Sequence, residues 1–258
     1  NSFLQRRCKM RDVVLSLFDY TGVAVQPWVN AGFKAYCFDI QHFNKGTTFA
    51  HMNMQTGGRL YKRGLDLYNP KNLDDLAAEF KGRVAFIFGW PPCDNLAVSG
   101  ASHFASKRAK DPAFQTKAAK NARAVADLAA KLDCPFMIEN PVSVLSTLWR
   151  KPNHTFHPYQ FGGYIPAKDA EHPTYPEYIA PRDAYSKKTC LWTGGGFIMP
   201  KPLPVDCESF GASRQHQKLG GKSLKTKNIR SATPRGFAQA VFEANHKANQ
   251  SVLKHAAE

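Results

Sequence analysis

Between residues 13 and 139, short apolar runs alternate with helix-compatible segments, and the runs stop at turns carrying chemically active side chains. Val13 to Phe18 runs into Asp19-Tyr20-Thr21-Gly22, the run 34–39 ends on Asp39, 84–88 leads to Trp90-Pro91-Pro92-Cys93, and 136–139 ends on Glu139. Residues 23–31 read as a helix closed by Gly32, and Leu73, Leu76 and Phe80 give 74–80 a helical period. The clearest helix is 113–132, with Ala118, Ala122, Val125, Ala129 and Leu132 on one face. Strand and helix in alternation predict an α/β fold with a doubly wound, mostly parallel sheet.

Beyond Asn140 the pattern changes. Prolines at 141, 152, 158, 166, 173, 176 and 181 interrupt any long element, and Tyr159, Phe161, Tyr164, Tyr175, Tyr178 and Tyr185 are interleaved with them. A short strand at 189–192, a glycine-rich turn, and a closing helix from Arg235 to about Lys254 are expected, with Pro234 suited to that helix's first turn. The 258 residues suffice for one main domain.

The 35 Lys and Arg against 20 Asp and Glu give a formal net charge of +15, which favours a polyanionic partner. The cations concentrate in two clusters, Lys107, Arg108, Lys110, Lys117, Lys120 and Arg123 after Cys93, and Lys218, Lys222, Lys225, Lys227, Arg230 and Arg235 toward the C-terminus. Two basic clusters flanking one site suggest a nucleic-acid groove. The six cysteines form no CxxC pair, so neither a zinc site nor a disulfide framework is expected. No apolar run approaches the length of a membrane helix and the first residues are too polar for a signal peptide, so a reduced, cytoplasmic protein is expected, monomeric and without a membrane partner.

Cys93 follows a buried-strand pattern on a proline-stiffened turn. In open α/β sheets ligands bind beyond the carboxyl ends of the strands, so a thiol there faces substrate, although a free thiol is more often a buried structural residue. Glu139 on the next strand end tips the balance, because the two side chains should emerge at the same sheet edge. A thiolate that adds to an electron-poor heteroaromatic ring builds negative charge on it, and a carboxyl that protonates the ring nitrogen removes that cost. The turn 18–22, with Asp39 ending the following strand, fits a nucleoside-binding sheet in which the acid accepts ribose hydroxyls. One glycine is a poor pyrophosphate cradle, which argues against a dinucleotide and for an adenosyl ligand. Asp66 adds an acid placed to meet an adenine amino group.

Pro91-Pro92-Cys93 with Leu96 and Gly100, Glu139-Asn140-Pro141, Leu17-Phe18 through Gly22, and Asp39 and Asp66 in order resemble the DNA cytosine-5 methyltransferase family. Pro158-Tyr159-Gln160-Phe161-Gly162 and Lys188-Thr189-Cys190-Leu191-Trp192 resemble, more narrowly, its compact bacteriophage members. The resemblance implies a class I S-adenosylmethionine-dependent, Rossmann-like fold in a bacterial or phage-infected cell. It implies a catalytic and donor-binding domain over 11–192, a short target-recognition region over 193–229, and a C-terminal segment over 230–256 that completes the first. Cys93 would attack carbon 6 of a flipped cytosine and Glu139 would protonate ring nitrogen 3, with Lys188 nearest to the family's base-bracing arginines. Phe18, Tyr20, Thr21, Gly22, Asp39, Ile40, Asp66, Leu67, Pro91 and Ser231 would surround S-adenosylmethionine or a carboxylated analogue. Ser99, Lys107, Arg108, Lys110, Lys222 and Lys225 would contact double-stranded DNA, with 101–120 as a mobile loop closing on it.

The chain departs from the family at Tyr20 (usually glycine), Asp94 (usually glutamine), Cys190 (the second arginine), Arg230 (glycine) and Ser231 (asparagine). Cations at 230 and 235 suit a donor carrying an extra carboxylate. Modification of cytosine in RNA, and a catalytically weak DNA-binding relative, stand as alternatives.

Overall fold

The computed structural model of the chain describes residues 11–42, 47–207, 214–220 and 223–246. Strand β1 (Val13–Leu17), helix α1 (Gln26–Asn30) and β2 (Lys34–Phe38) come first, followed by a hairpin of β3 (Thr47–Met52) and β4 (Arg59–Arg63). Helix α2 (Pro70–Glu79) precedes β5 (Val84–Gly89), and α3 (Phe104–Lys110) and α4 (Phe114–Leu132) precede β6 (Phe136–Pro141). Then come α5 (Leu145–Leu148), β7 (His154–Phe156), β8 (Thr189–Gly194), α6 (Arg214–Lys218), α7 (Leu224–Ser231) and α8 (Arg235–Asn245).

The strands form one mixed eight-stranded sheet in the order β3-β4-β2-β1-β5-β6-β8-β7, compatible with a Rossmann-like fold. Its centre, from β4 to β6, is parallel, while β3, β8 and β7 pair antiparallel at the two sides. The sheet is therefore less parallel than the strand-helix alternation suggested. The chain leaves β1 toward β2 and later returns to β5 on the opposite side, so the strand order reverses between β1 and β5. Ligands of such sheets bind at this reversal. Here the turns after β1 and β5 are joined directly: the Trp90 amide donates to Leu17 O at 3.0 Å and its indole Nε1–H donates to Ser16 Oγ at 3.0 Å.

Alternation along the strands sends side chains to two cores. Leu15, Leu17, Ile87 and Ile138 meet Leu76 and Phe80 and the Ala118, Ala122 and Val125 stripe of α4 on one face. Val14, Ala35, Phe86, Phe88, Met137 and Leu191 meet Trp28 of α1 and Phe237 and Val241 of α8 on the other. Trp28 is the hub of that second layer, fully buried among Phe33, Phe86, Phe88 and Phe242. Its indole N–H has no hydrogen-bond partner among the described residues, so its stabilising contribution there is apolar contact. Trp28→Ala is expected to cost about 3–5 kcal/mol, read as a lowered urea midpoint.

Several elements differ from the sequence expectations. Helix α1 is shorter than 23–31, α2 begins at Pro70 with Asn69 capping it through Lys71 N, and β5, β6 and β8 each run past their expected ends. The expected DNA-closing loop over 101–120 is helical: a 3-10 turn, Val98–His103, passes into α3, and α4 starts at Phe114. Residues 162–185 pack as 3-10 turns, with Ile179, Ala180, Ala184 and Tyr185 buried against Ala232. The closing helix is described to Asn245; its expected continuation to Lys254 and the residue Lys222 lie outside the described residues.

Candidate active site

Strand β5 is buried along its length and stops at Gly89, because the turn that follows contains Pro91 and Pro92, which have no N–H to extend the ladder. That turn carries Cys93, half-buried, whose carbonyl accepts the Leu96 and Ala97 amides at 2.8 Å each. The chain is then stitched to the turn after β6: Val98 N donates to Val142 O and Val144 N to Leu96 O, both at 3.0 Å. Asn140, fully buried, donates its Nδ2–H to Pro91 O at 3.0 Å. The asparagine of Glu139-Asn140-Pro141 therefore holds the proline turn against β6, and with it the position of the thiol.

Glu139 lies two residues inside β6, not at its end. Pairing with β5 stops at Gly89–Ile138, while pairing with β8 continues through Glu139–Leu191 to Pro141–Thr189. One flank of Glu139 thus opens where β5 turns away at the prolines. Its carboxyl accepts no hydrogen bond from a described residue, and it lines a narrow cleft with Trp90, Lys187, Thr189 and Ser231. The enclosed space there holds about one water molecule.

Burial pushes the Glu139 carboxyl above its ordinary range, and Lys187 works against that shift. Burial also lifts the Cys93 thiol, with Glu139 and then Asp94 adding to the rise and Lys187 opposing it. A carboxyl whose pKa burial raises, acting electrostatically on a thiol at the neighbouring strand end, has the chemistry to supply an acid and a nucleophile to one ligand.

The cation that faces this pair is Lys187, which donates to Arg230 O at 3.0 Å; Lys188 does not face it. Lys187 lines the cleft with Thr189, whereas exposed Lys188 acts on His157 and Cys190.

At the neighbouring turn Phe18 adopts a left-handed backbone, φ 59°, sparsely populated by side chains of its size and characteristic of functional turns. Gly22, φ 75°, completes the reversal. The organiser is Asp19, buried, which sequence inspection noted only as part of the turn. Its carboxylate accepts from Ser16 Oγ at 2.7 Å, Gly22 N at 2.8 Å, Thr21 Oγ1 at 3.1 Å and Cys37 Sγ at 3.7 Å. Ser16 in turn takes the Trp90 indole, so Asp19 fixes the β1 turn and the β5 turn together. Asp19→Ala is expected to destabilise the chain by about 3 kcal/mol, since it strips hydrogen bonds from a charged acceptor, and thermal denaturation measures the loss.

Asp39 caps its own turn by accepting Gln41 N at 2.8 Å, and burial raises its pKa. Next to it Ile40 is 68% exposed, an uncovered apolar face beside the crevice. Tyr20 is stacked on His42 at 5.5 Å with Lys62 over its ring. Phe18 meets Tyr68 edge to face, and exposed Asp66 accepts Tyr68 N at 2.9 Å. Leu67 does not join them: it is buried in the core with Leu15, Leu17 and Leu76, because an apolar side chain following an exposed acid turns inward. Thr21 supports Asp19 and receives Val23 N, Pro91 is buried as an acceptor for Asn140, and Ser231 donates to Asn228 O at the cleft's edge.

Among the expected DNA contacts, Ser99, Lys110 and Lys225 are exposed. Arg108 reaches Gln115, while Lys107 folds inward onto Asp94 O at 2.7 Å and Asn95 Oδ1 at 2.8 Å. Arg230 and Arg235, expected near the donor, donate instead to Leu219 O and to the Asp169 and Ala170 carbonyls. No protein-family model matches the chain, and no curated protein is significantly similar to it. Among the described residues no cluster of His, Cys, Asp or Glu is arranged to hold a metal, and no helix is long and apolar enough to cross a membrane.

Proposed function

We propose that this chain transfers a methyl or related one-carbon group from an S-adenosylmethionine-type donor to carbon 5 of cytosine in double-stranded DNA. The observation that carries the proposal is the placement of Cys93 after β5 and Glu139 on the neighbouring β6, where burial and then the Glu139 charge raise the thiol's pKa and Lys187 acts on both groups. The basic balance of the chain supplies the polyanionic partner.

The residues on the β1 and β2 turns fit an adenosyl donor. Asp39 stands just beyond β2, where its carboxylate could exchange hydrogen bonds to Gln41 for ribose hydroxyls, Ile40 offers an exposed apolar face for adenine, and Phe18 and Gly22 turn the chain in backbone conformations that a regular strand cannot adopt. When bound, such a donor supplies an electrophilic carbon attached to a sulfonium.

The chain's own residues account for the remaining steps. The target base must leave the duplex stack, at a cost of a few kcal/mol, to bring carbon 6 to the Cys93 sulfur. As the sulfur–carbon bond forms, ring electrons move toward nitrogen 3, where Glu139 gives its proton, and carbon 5 becomes nucleophilic. After transfer, a solvent water takes the carbon 5 proton, the electron pair left behind expels the Cys93 thiolate and restores the ring, and nitrogen 3 returns its proton to Glu139. Lys187 supports the thiolate and the carboxyl in turn, and Asn140 keeps the thiol's turn in place.

Incubation of the chain with the donor and unmodified duplex DNA, followed by mass spectrometry of the nucleosides, is expected to yield a 5-substituted deoxycytidine whose mass identifies the group transferred. A matched RNA duplex is expected to remain unmodified. Product in RNA alone, or in neither, would refute the assignment.

A further inference from the structure

Asp94, the residue directly after Cys93, is held by lysines from two different elements. Lys227 of α7 places its Nζ 2.7 Å from the Asp94 carboxylate, and Lys107 of α3 places its Nζ 2.7 Å from the Asp94 carbonyl oxygen. Helix α7 reaches the crevice at two further points: Asn228 Nδ2 donates to Gln41 Oε1 at 3.3 Å, and Arg230 O accepts from Lys187 Nζ at 3.0 Å. Its last residue, Ser231, lines the cleft beside Glu139. One helix is thus tied to the turn after β2, the turn after β5 and the approach to β8, over a space with room for little more than a water.

The ion pair that ties α7 to the nucleophile turn is exposed, with side-chain exposures of 50% for Lys227 and 58% for Asp94. Exposed pairs of this kind shift an equilibrium by about fivefold at most, so a stronger anion can take the lysine. A duplex offers such an anion with the added gain of counterion release. A nucleotide whose base reaches Cys93 also carries its phosphates along the rim where Asp94 stands.

We propose that Lys227 forms a subsite for a nucleic-acid phosphodiester, that the Asp94 carboxylate occupies it in the free protein, and that an incoming phosphate displaces that carboxylate and frees α7 from the nucleophile turn. This inference rests on the nucleic-acid substrate proposed above. Asp94 is a positioning residue: it acts on the reaction through Lys227 and α7.

Two measurements on the full chain test it. In the absence of DNA, Asp94→Asn is expected to accelerate amide hydrogen exchange across α7, because its tie to the β5 turn is cut. With a fluorescein-labelled duplex, Asp94→Asn is expected to bind about twofold to fivefold tighter at low ionic strength, with the advantage shrinking as salt is added. Lys227→Ala should bind more weakly than the parent, and Asp94→Asn should gain nothing in that background. Unchanged exchange in α7, or duplex affinity of Asp94→Asn equal to or below the parent's, would overturn the subsite. Failure of the parent chain itself to bind duplex DNA, with α7 exchange still accelerated, would instead refute the proposed substrate and the phosphate as displacing anion.

Discussion

Cys93→Ala is expected to abolish transfer, by a factor on the order of 10⁴ or more, while leaving the fold intact. In the proposed reaction the thiol's loss removes the atom that makes carbon 5 nucleophilic, and the three buried cysteines of the described residues are poorly placed to replace it. Cys37, Cys134 and Cys190 are buried, and burial raises the pKa of each, that of Cys134 to about 12. The structural cost is small because Cys93 is half-buried on a turn held by main-chain bonds to its carbonyl, which alanine retains; the stability change should stay within about 1 kcal/mol. Single-turnover transfer assays alongside thermal denaturation separate the two effects. Activity in Cys93→Ala within tenfold of the parent would remove the thiol from the mechanism.

Glu139→Gln is expected to lower the rate by about 10²- to 10⁴-fold at neutral pH and to change the shape of the pH profile. Attack needs the thiolate and the protonated carboxyl together, so the active form of the pair carries one proton. Both groups titrate above their ordinary values, for burial first in each case. Below the raised pKa of Glu139 a second proton occupies the thiol, and kcat/KM falls as pH falls. Above the raised pKa of Cys93 the last proton leaves, and kcat/KM falls as pH rises. Between them the rate is flat, because the shared proton is neither gained nor lost. Glutamine cannot titrate, so the variant should lose the acid limb at Glu139's pKa and show a rate that climbs with pH until the thiol ionises. An acid limb that survives unchanged in Glu139→Gln would assign it to another group.

The residues of the candidate site differ in how far they were legible along the chain. Val84 to Phe88 is continuously apolar, which marks a strand buried on both faces, and the proline turn after it located Cys93 without any tertiary information. Glu139 was legible for the same reason, although its neighbour β8 carries β6 two residues further than the apolar run alone suggests. Strands β3 and β4 were not legible, because Thr47–Met52 lies at the sheet edge largely exposed and Arg59–Arg63 mixes cations with Leu60 and Tyr61. Their pairing is set by contact with β2, which no local pattern records. Lys187 was accessible to a period-two count back from Thr189 in β8, a signal outweighed by the family position nearest to Lys188. Asp19 was hidden differently: its partners Ser16 and Cys37 sit on two strands that only the fold brings together.

The central claim, a Cys93 nucleophile acting on carbon 6 of a cytosine whose carbon 5 accepts the transferred group, is tested most directly by trapping. A duplex containing 5-fluorocytosine at target positions cannot lose a proton from carbon 5 after transfer, so under the proposed mechanism the chain should remain bonded to it. The account predicts a donor-dependent, denaturation-resistant protein–DNA adduct whose tryptic peptide is joined at Cys93, and which Cys93→Ala does not form. Absence of any adduct under saturating donor with duplex that binds, or an adduct that persists in Cys93→Ala, would contradict it.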